Sequence, residues 1–214
     1  MATILLAAAD WAAHYRAADL DLPDRIRVQR QPALAQRRDW QVSRALKHAA
    51  AEVRSLSHSQ GAAALLCGIG HDQAAGIDIE HCRPRDFHGL AGWIMNAEER
   101  QWWAACSNPA TAFYALWTLK EALIKAADLD FPADMPRVGL HRPASSAAVS
   151  DGLHLHAADG QSWTAHTRFI GGCAVSCVSA KPFSPQWQRL GTWADTPWQS
   201  VLPAAETVCG WQTD

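Results

Sequence analysis

The chain has 214 residues, long enough for one large domain or two lobes of about 100 residues around a real core. Apolar residues make up 49% and charged residues 19%, which excludes a disordered chain, and no apolar run approaches the roughly 20 residues of a membrane helix. The net charge of −2 hides a local bias: from Arg25 to Arg54 eight basic residues face two acidic ones, a +6 segment suited to a polyphosphate ligand, an acidic protein partner or plain solvated surface.

Residues 1–9 are apolar and weakly alternating, enough for a strand. With no preceding Lys or Arg, the short run 4–9 does not read as a secretion signal, and a cytoplasmic protein is expected. Asp10 opens a short helix to about Ala18, and residues 19–32, polar and holding two prolines, read as a loop with a helical turn. Residues 37–54 are predicted as a helix. Trp40, Val42, Ala45, Leu46, Ala49, Ala50 and Val53 recur at three- and four-residue steps, leaving Arg38, Gln41, Arg44, Lys47 and His48 to other faces. The segment 55–61 breaks that helix, and residues 62–67 form a short strand. The glycine-containing stretch 68–73 reads as the loop of a hairpin whose second strand is 74–80. A shift in composition near Ala75 marks a candidate boundary between two lobes.

Beyond Pro84, helices are predicted over 87–93 and from Asn96 to about Cys106, with Asn96 and Glu99 spaced as a capping box. A longer helix follows, with Asn108 to cap it, Pro109 in its first turn and Phe131-Pro132 beyond its end. Thr118, Glu121, Lys125 and Asp128 fall on one polar stripe, while Phe113, Leu116, Leu119 and Leu123 supply a core face. Short alternating runs at 138–140, 153–156, 163–167 and 172–180, divided by the turns Asp151-Gly152 and Asp159-Gly160, predict antiparallel sheet. The tail beyond Lys181 is rich in Trp and Pro and is expected to pack on the second lobe. The six cysteines lack any C-x-x-C or zinc-like spacing and read as free thiols, and His154 and His156 as one face of a strand.

Two stretches carry the chemistry. In Gly76-Ile77-Asp78-Ile79-Glu80 a strand puts both carboxylates on one side, roughly 6.6–7 Å apart along the chain, where they can grip one hard cation. In Trp117-Thr118-Leu119-Lys120-Glu121-Ala122-Leu123-Ile124-Lys125, Glu121 can complete three oxygen ligands, a set that suits Mg²⁺ bridging to substrate phosphates. Lys125, one turn on, can reach a phosphate oxygen as a point charge. A cation and lysines so placed suit phosphoryl transfer. Taken singly, Asp78 and Glu80 are solvated strand-end groups, and Glu121 with Lys125 is an ordinary helix pair worth about 0.3–0.5 kcal/mol.

These two stretches, with 42 positions from Asp78 to Lys120, resemble the paired signature of the 4′-phosphopantetheinyl transferases. The chain length resembles the larger, monomeric, surfactin-synthetase-activating type. Ser57-His58-Ser59 and Phe113-Tyr114-Ala115-Leu116 also resemble family segments, and the likeness is good over residues 37–125. It implies transfer of the 4′-phosphopantetheine arm of coenzyme A, the co-substrate, to a serine of an apo acyl, peptidyl or aryl carrier protein, with release of adenosine 3′,5′-bisphosphate. It also implies Asp78, Glu80 and Glu121 as ligands of Mg²⁺, or of Mn²⁺ in its place, and Glu121 or a water held by the metal as base for the carrier serine. Lys120 and Lys125 resemble the lysines of the family's K-E-x-x-x-K motif, with Lys125 the better pyrophosphate contact. Ser57 and His58 would hold nucleotide phosphates, and Arg44 and Lys47 match basic positions of the first lobe. The family's Gly-Lys-Pro stretch has no counterpart here, Arg54 being the nearest substitute. Glu99 lies where the family often has a functional glutamate, the capping-box role being at least as good a reading.

The implied fold is α+β, with two similar lobes related by a pseudo-two-fold, each a small antiparallel sheet packed on a long helix. Residues 1–75 would form the N-terminal lobe, 76–180 the C-terminal lobe with the metal and Lys-Glu motifs, and 181–214 the tail. Coenzyme A would lie between the lobes of a monomer that engages neither nucleic acid nor membrane. A Mg²⁺-dependent nucleotide or phosphodiester hydrolase is a rival reading, opposed by the lack of a second metal cluster or a phosphate-cradling Gly-rich loop. A non-catalytic module that binds coenzyme A or carrier proteins is another, opposed by intact Asp78, Glu80, Glu121 and Lys125.

Overall fold

The computed structural model describes residues 1–142, 153–157, 163–199 and 208–213. Strand β1 (Thr3–Ala7) alternates as its sequence requires, with Ile4 and Leu6 entering one core and Leu5 and Ala7 another. The segment expected to be a loop holds helix α1 (Leu22–Arg30). Asp21 caps it by accepting the Asp24 backbone N–H at 2.9 Å, and Pro23 sits in its first turn. That start signal outweighs a composition that is otherwise polar.

Helix α2 (Arg38–His48) ends earlier than its apolar periodicity suggests, because Val53 belongs to strand β2 (Val53–Ser59), which the expected helix breaker forms. Strand β3 (Ala62–Cys67) returns through a two-residue turn in which Gln60 and Gly61 have φ of 45° and 83°. Positive φ at both positions matches the twist of paired strands, so the hairpin is β2–β3 rather than the expected 62–67 with 74–80. Strand β4 (Ala75–His81) pairs instead with β8.

Helices α3 (Phe87–Ile94), α4 (Ala97–Ala104) and α5 (Pro109–Ala126) follow, and the last two start at Asn96 and Asn108 as their caps dictate. Strands β5 (Gly139–His141), β6 (Leu153–His156), β7 (Thr164–Ile170), β8 (Cys173–Ser179), β9 (Gln186–Leu190), β10 (Val208–Cys209) and β11 (Trp211–Thr213) complete the described chain. The turns at Asp151-Gly152 and Asp159-Gly160 lie outside the described residues.

The result is a mixed α+β arrangement of two four-stranded sheets, β2-β3-β1-β9 and β11-β7-β8-β4, with a small third sheet, β10-β6-β5. Val42 and Leu46 of α2 pack on Leu5, Ala63 and Leu65 at one face of the first sheet. Its other face shares a core with the second sheet, where Ile4, Leu6 and Leu66 meet Ile77, Ile79, Val175 and Cys177. Helix α5 covers the far side of the second sheet through Phe113, Leu119 and Leu123. The layers therefore run helix, sheet, sheet, helix. Pairing is not antiparallel throughout, since β9, β10 and β11 lie parallel to β1, β6 and β7. The tail is not confined to the second sheet: β9 extends the first, satisfying backbone groups that the edge of β1 would leave open. Among the described residues no helix is long and apolar enough to cross a membrane.

Candidate functional site

The site lies where the edge strands of the two large sheets, β2 and β4, run side by side. The two-residue period of β2 puts Ser55, Ser57 and Ser59 on one side, and all three bind β4. Ser55 Oγ accepts the Ile77 N–H at 3.1 Å. Ser57 Oγ donates to Asp78 Oδ1 at 2.7 Å. Ser59 Oγ donates to Glu80 Oε2 at 3.0 Å and accepts the His81 N–H at 3.2 Å. The serines thus cross-link the sheets and orient the two carboxylates. Ser57, expected to hold a nucleotide phosphate, is placed against Asp78 and Lys125 and is not among the residues lining the basic cavity beside His58.

Helix α5 crosses β4 at Gly76, where a Cβ would collide with the Ala122 carbonyl oxygen. Only glycine allows that approach, which delivers the polar stripe of α5 to the carboxylates. Lys125 Nζ lies 2.6 Å from Asp78 Oδ1, 3.0 Å from Ser57 Oγ and 3.3 Å from the Ile77 carbonyl. Glu80 takes a second cation, with Arg85 Nη2 at 2.5 Å from Oε1. Burial and then the charge of Asp78 push the Glu121 carboxyl up to about 7, Lys125 opposing and Glu80 adding to the shift. Glu121 therefore exchanges its proton near neutrality.

Asp78, Glu80 and Glu121 are close enough to repel one another, yet among the described residues no three His, Cys, Asp or Glu side chains are gathered as a ligand cluster. Lys125 and Arg85 neutralise Asp78 and Glu80 separately. An all-carboxylate set whose mutual repulsion already raises one member fits a hard divalent cation, which would relieve that repulsion.

Lys120, expected at this site, is not brought to it. Its ammonium lies 2.5 Å from Glu99 Oε2, and both side chains are 0% exposed. The same Glu99 oxygen accepts the Asn96 N–H of the capping box at 3.0 Å, and Oε1 accepts the Leu140 N–H at 2.9 Å. Burial drives Glu99 up and Lys120 down, each opposed by the other's charge. Helical geometry explains the separation: Lys120 is one residue from Glu121 and so points about 100° away from the polar stripe.

Strand alternation sends His58 to the side opposite Ser57, where its Nδ1 lies 3.1 Å from Asp39 Oδ2 and burial holds its pKa down against that carboxylate. There a cavity of about 410 Å³ is lined by Arg27, Arg44, Lys47, Arg54 and His58, with Asp24 among them. Arg44 is sealed in, stacked 3.8 Å over the Trp40 ring with Nε 2.9 Å from Asp24. Lys47 is shared by Asp21 at 2.6 Å and Asp24 at 2.8 Å. Part of the +6 bias is thus cancelled by two aspartates just before it in sequence. Ser55, Arg85, Asp21 and Asp24 were not singled out from the sequence, although the alternate serines at 55, 57 and 59 were a readable strand signal.

Residues 74–173 match the model of the 4′-phosphopantetheinyl transferase superfamily. Over 74 residues, 34% of this chain, the sequence is 35% identical to a Haemophilus influenzae protein named "Putative 4'-phosphopantetheinyl transferase". The matched stretch spans 32% of that relative's length.

Proposed function

From the match of residues 74–173 to the 4′-phosphopantetheinyl transferase superfamily, we propose that the protein transfers the 4′-phosphopantetheine arm of coenzyme A to a serine of an apo acyl, peptidyl or aryl carrier protein. The observation that carries this reading is the convergence of Asp78, Lys125 and Ser57, within 3.0 Å of one another, beside a Glu121 poised near neutral pH. Asp78, Glu80 and Glu121 would hold Mg²⁺, which neutralises phosphate charge when bound. Lys125 would hold a pyrophosphate oxygen. Glu121 would take the proton of the carrier hydroxyl as the serine oxygen bonds to the phosphorus that bears pantetheine. The bond from that phosphorus to the bridging oxygen then breaks, and adenosine 3′,5′-bisphosphate leaves with the electron pair. Lys47, Arg54 and His58 would take the 3′-phosphate in the 410 Å³ cavity, with Arg44 shaping its wall.

We read the sheet under α2 and the sheet under α5 as the two lobes, 1–75 and 76–180, of a cytoplasmic monomer of the surfactin-synthetase-activating type, with β9 of the tail bridging back to the first. The test is incubation of the protein with Mg²⁺, coenzyme A and a panel of apo carriers, followed by mass spectrometry. A phosphopantetheine mass gain on the carrier serine is expected. No gain on any of the three carrier classes would overturn the proposal.

A further inference from the structure

Two cations of the chain occupy the carboxylates proposed as metal ligands, and they differ in kind from the pair at Lys120. The Lys120–Glu99 pair is wholly buried, locked by two further backbone hydrogen bonds, and has nowhere to go. At the site, Asp78 is only 4% exposed, whereas its partner Lys125 keeps 32% of its side chain in solvent and Arg85 keeps 20%. Asp78 is held by Ser57 and Glu80, itself 21% exposed, by Ser59, whereas both cations are long side chains that reach solvent. Arg85 is also half-used. One terminal nitrogen holds Glu80, its Nε is buried with no hydrogen-bond partner among the described residues, and its guanidinium lies 5.8 Å from the Tyr114 ring and 5.9 Å from that of Trp117. A buried N–H without an acceptor is costly, and a guanidinium is shaped to hold two oxygens of one phosphate.

We propose that Arg85 is a second phosphate-binding residue of this site, held on Glu80 in the free protein as Lys125 is held on Asp78, and that both exchange carboxylate for substrate phosphate when a divalent cation enters. This rests on the metal and phosphate reading given above. Its consequence is a coupling. With Lys125 and Arg85 in place, three carboxylates are opposed by two cations and a divalent ion finds little net negative charge. With phosphate drawing the two cations away, all three carboxylates become available to the metal. Metal and coenzyme A must then strengthen each other's binding by the same factor, because the linkage is reciprocal.

The test measures Mn²⁺ binding by electron paramagnetic resonance, with and without coenzyme A and with no carrier present, in the wild type, Arg85→Gln, Arg85→Lys and Lys125→Met. Removing the cation that competes at Glu80 should tighten Mn²⁺ binding in the absence of coenzyme A by roughly tenfold, weaken coenzyme A binding, and shrink the coupling factor by about the same tenfold. Arg85→Lys, which keeps the charge but loses the fork, should fall between. Lys125→Met tests the same exchange at Asp78, so a poorly folded Arg85→Gln does not decide the matter. If the wild type binds Mn²⁺ and coenzyme A but Mn²⁺ affinity is unchanged or weaker in Arg85→Gln and Lys125→Met, the exchange is overturned while the proposed function stands. If the wild type binds neither, both fall.

Discussion

Replacing Lys120 by alanine separates a structural lysine from a catalytic one. The ammonium is 0% exposed and paired with Glu99, so the substitution leaves a buried carboxylate without its counter-ion. Breaking a buried pair from one side costs about 3–5 kcal/mol. Glu99 keeps the Asn96 and Leu140 N–H donors, which puts the expected loss near the lower end, about 3 kcal/mol at pH 8. For a chain of this size that is roughly 6–12 °C in Tm. The loss should shrink on acidification. A carboxyl whose folded pKa lies above its unfolded value is penalised fully above the folded pKa and not at all below the unfolded one, and burial already pushes Glu99 upward. Urea denaturation at pH 8 and pH 5 measures both effects, and Lys120→Met with Glu99→Gln should recover most of the stability. A loss under about 1 kcal/mol at pH 8 together with abolished transfer would place Lys120 at the reaction centre and refute the reasoning.

Glu121→Gln should stabilise the metal-free protein by up to about 3 kcal/mol above pH 7 and not below about pH 4.5, because the carboxyl sits near 7 against an ordinary 4.5; equal effects at pH 8 and pH 4.5 in chelator would contradict this. Asp78→Ala should abolish transfer and cost no more than about 1 kcal/mol of stability, since Lys125 can turn to solvent, and transfer that survives excess chelator would count against the metal assignment. Lys47→Ala and Arg54→Ala should raise the KM for coenzyme A whichever carrier is used, whereas Arg44→Ala, stacked on Trp40 and paired with Asp24, should also lower Tm. Charge removal at Arg25 or Arg30 should instead raise the carrier KM, most at low salt where screening is weakest, and an unchanged carrier KM would make those two plain surface.

The starts of α4 and α5 were legible because their signals are local: Asn96 with Glu99 and Asn108 with Pro109 cap them as read, whereas the Asp21 cap of α1 was passed over. Asp78 and Lys125 meet because strand and helix periods fix which residues share a face. Strand partners were not legible, since they depend on which edges meet. The loop 68–73 looked like a hairpin, yet the Gln60-Gly61 turn closed β2 on β3 and left β4 to pair with β8 from about 95 residues later. Charge partners failed for the same reason. Arg44 and Lys47 were matched to basic positions of the first lobe, and nothing in the sequence shows that α1 lays Asp24 across both of them. Lys120 could have been set apart from the polar stripe by its helical angle alone, but its partner Glu99 lies 21 residues away on another helix.

The most direct test is to follow adenosine 3′,5′-bisphosphate release from coenzyme A and Mg²⁺ alongside the mass of an apo carrier and of the same carrier with its acceptor serine replaced by alanine. Transfer requires one nucleotide released for each modified carrier and none with the alanine carrier. Release that proceeds equally without an acceptor serine would make the protein a hydrolase and contradict the central claim.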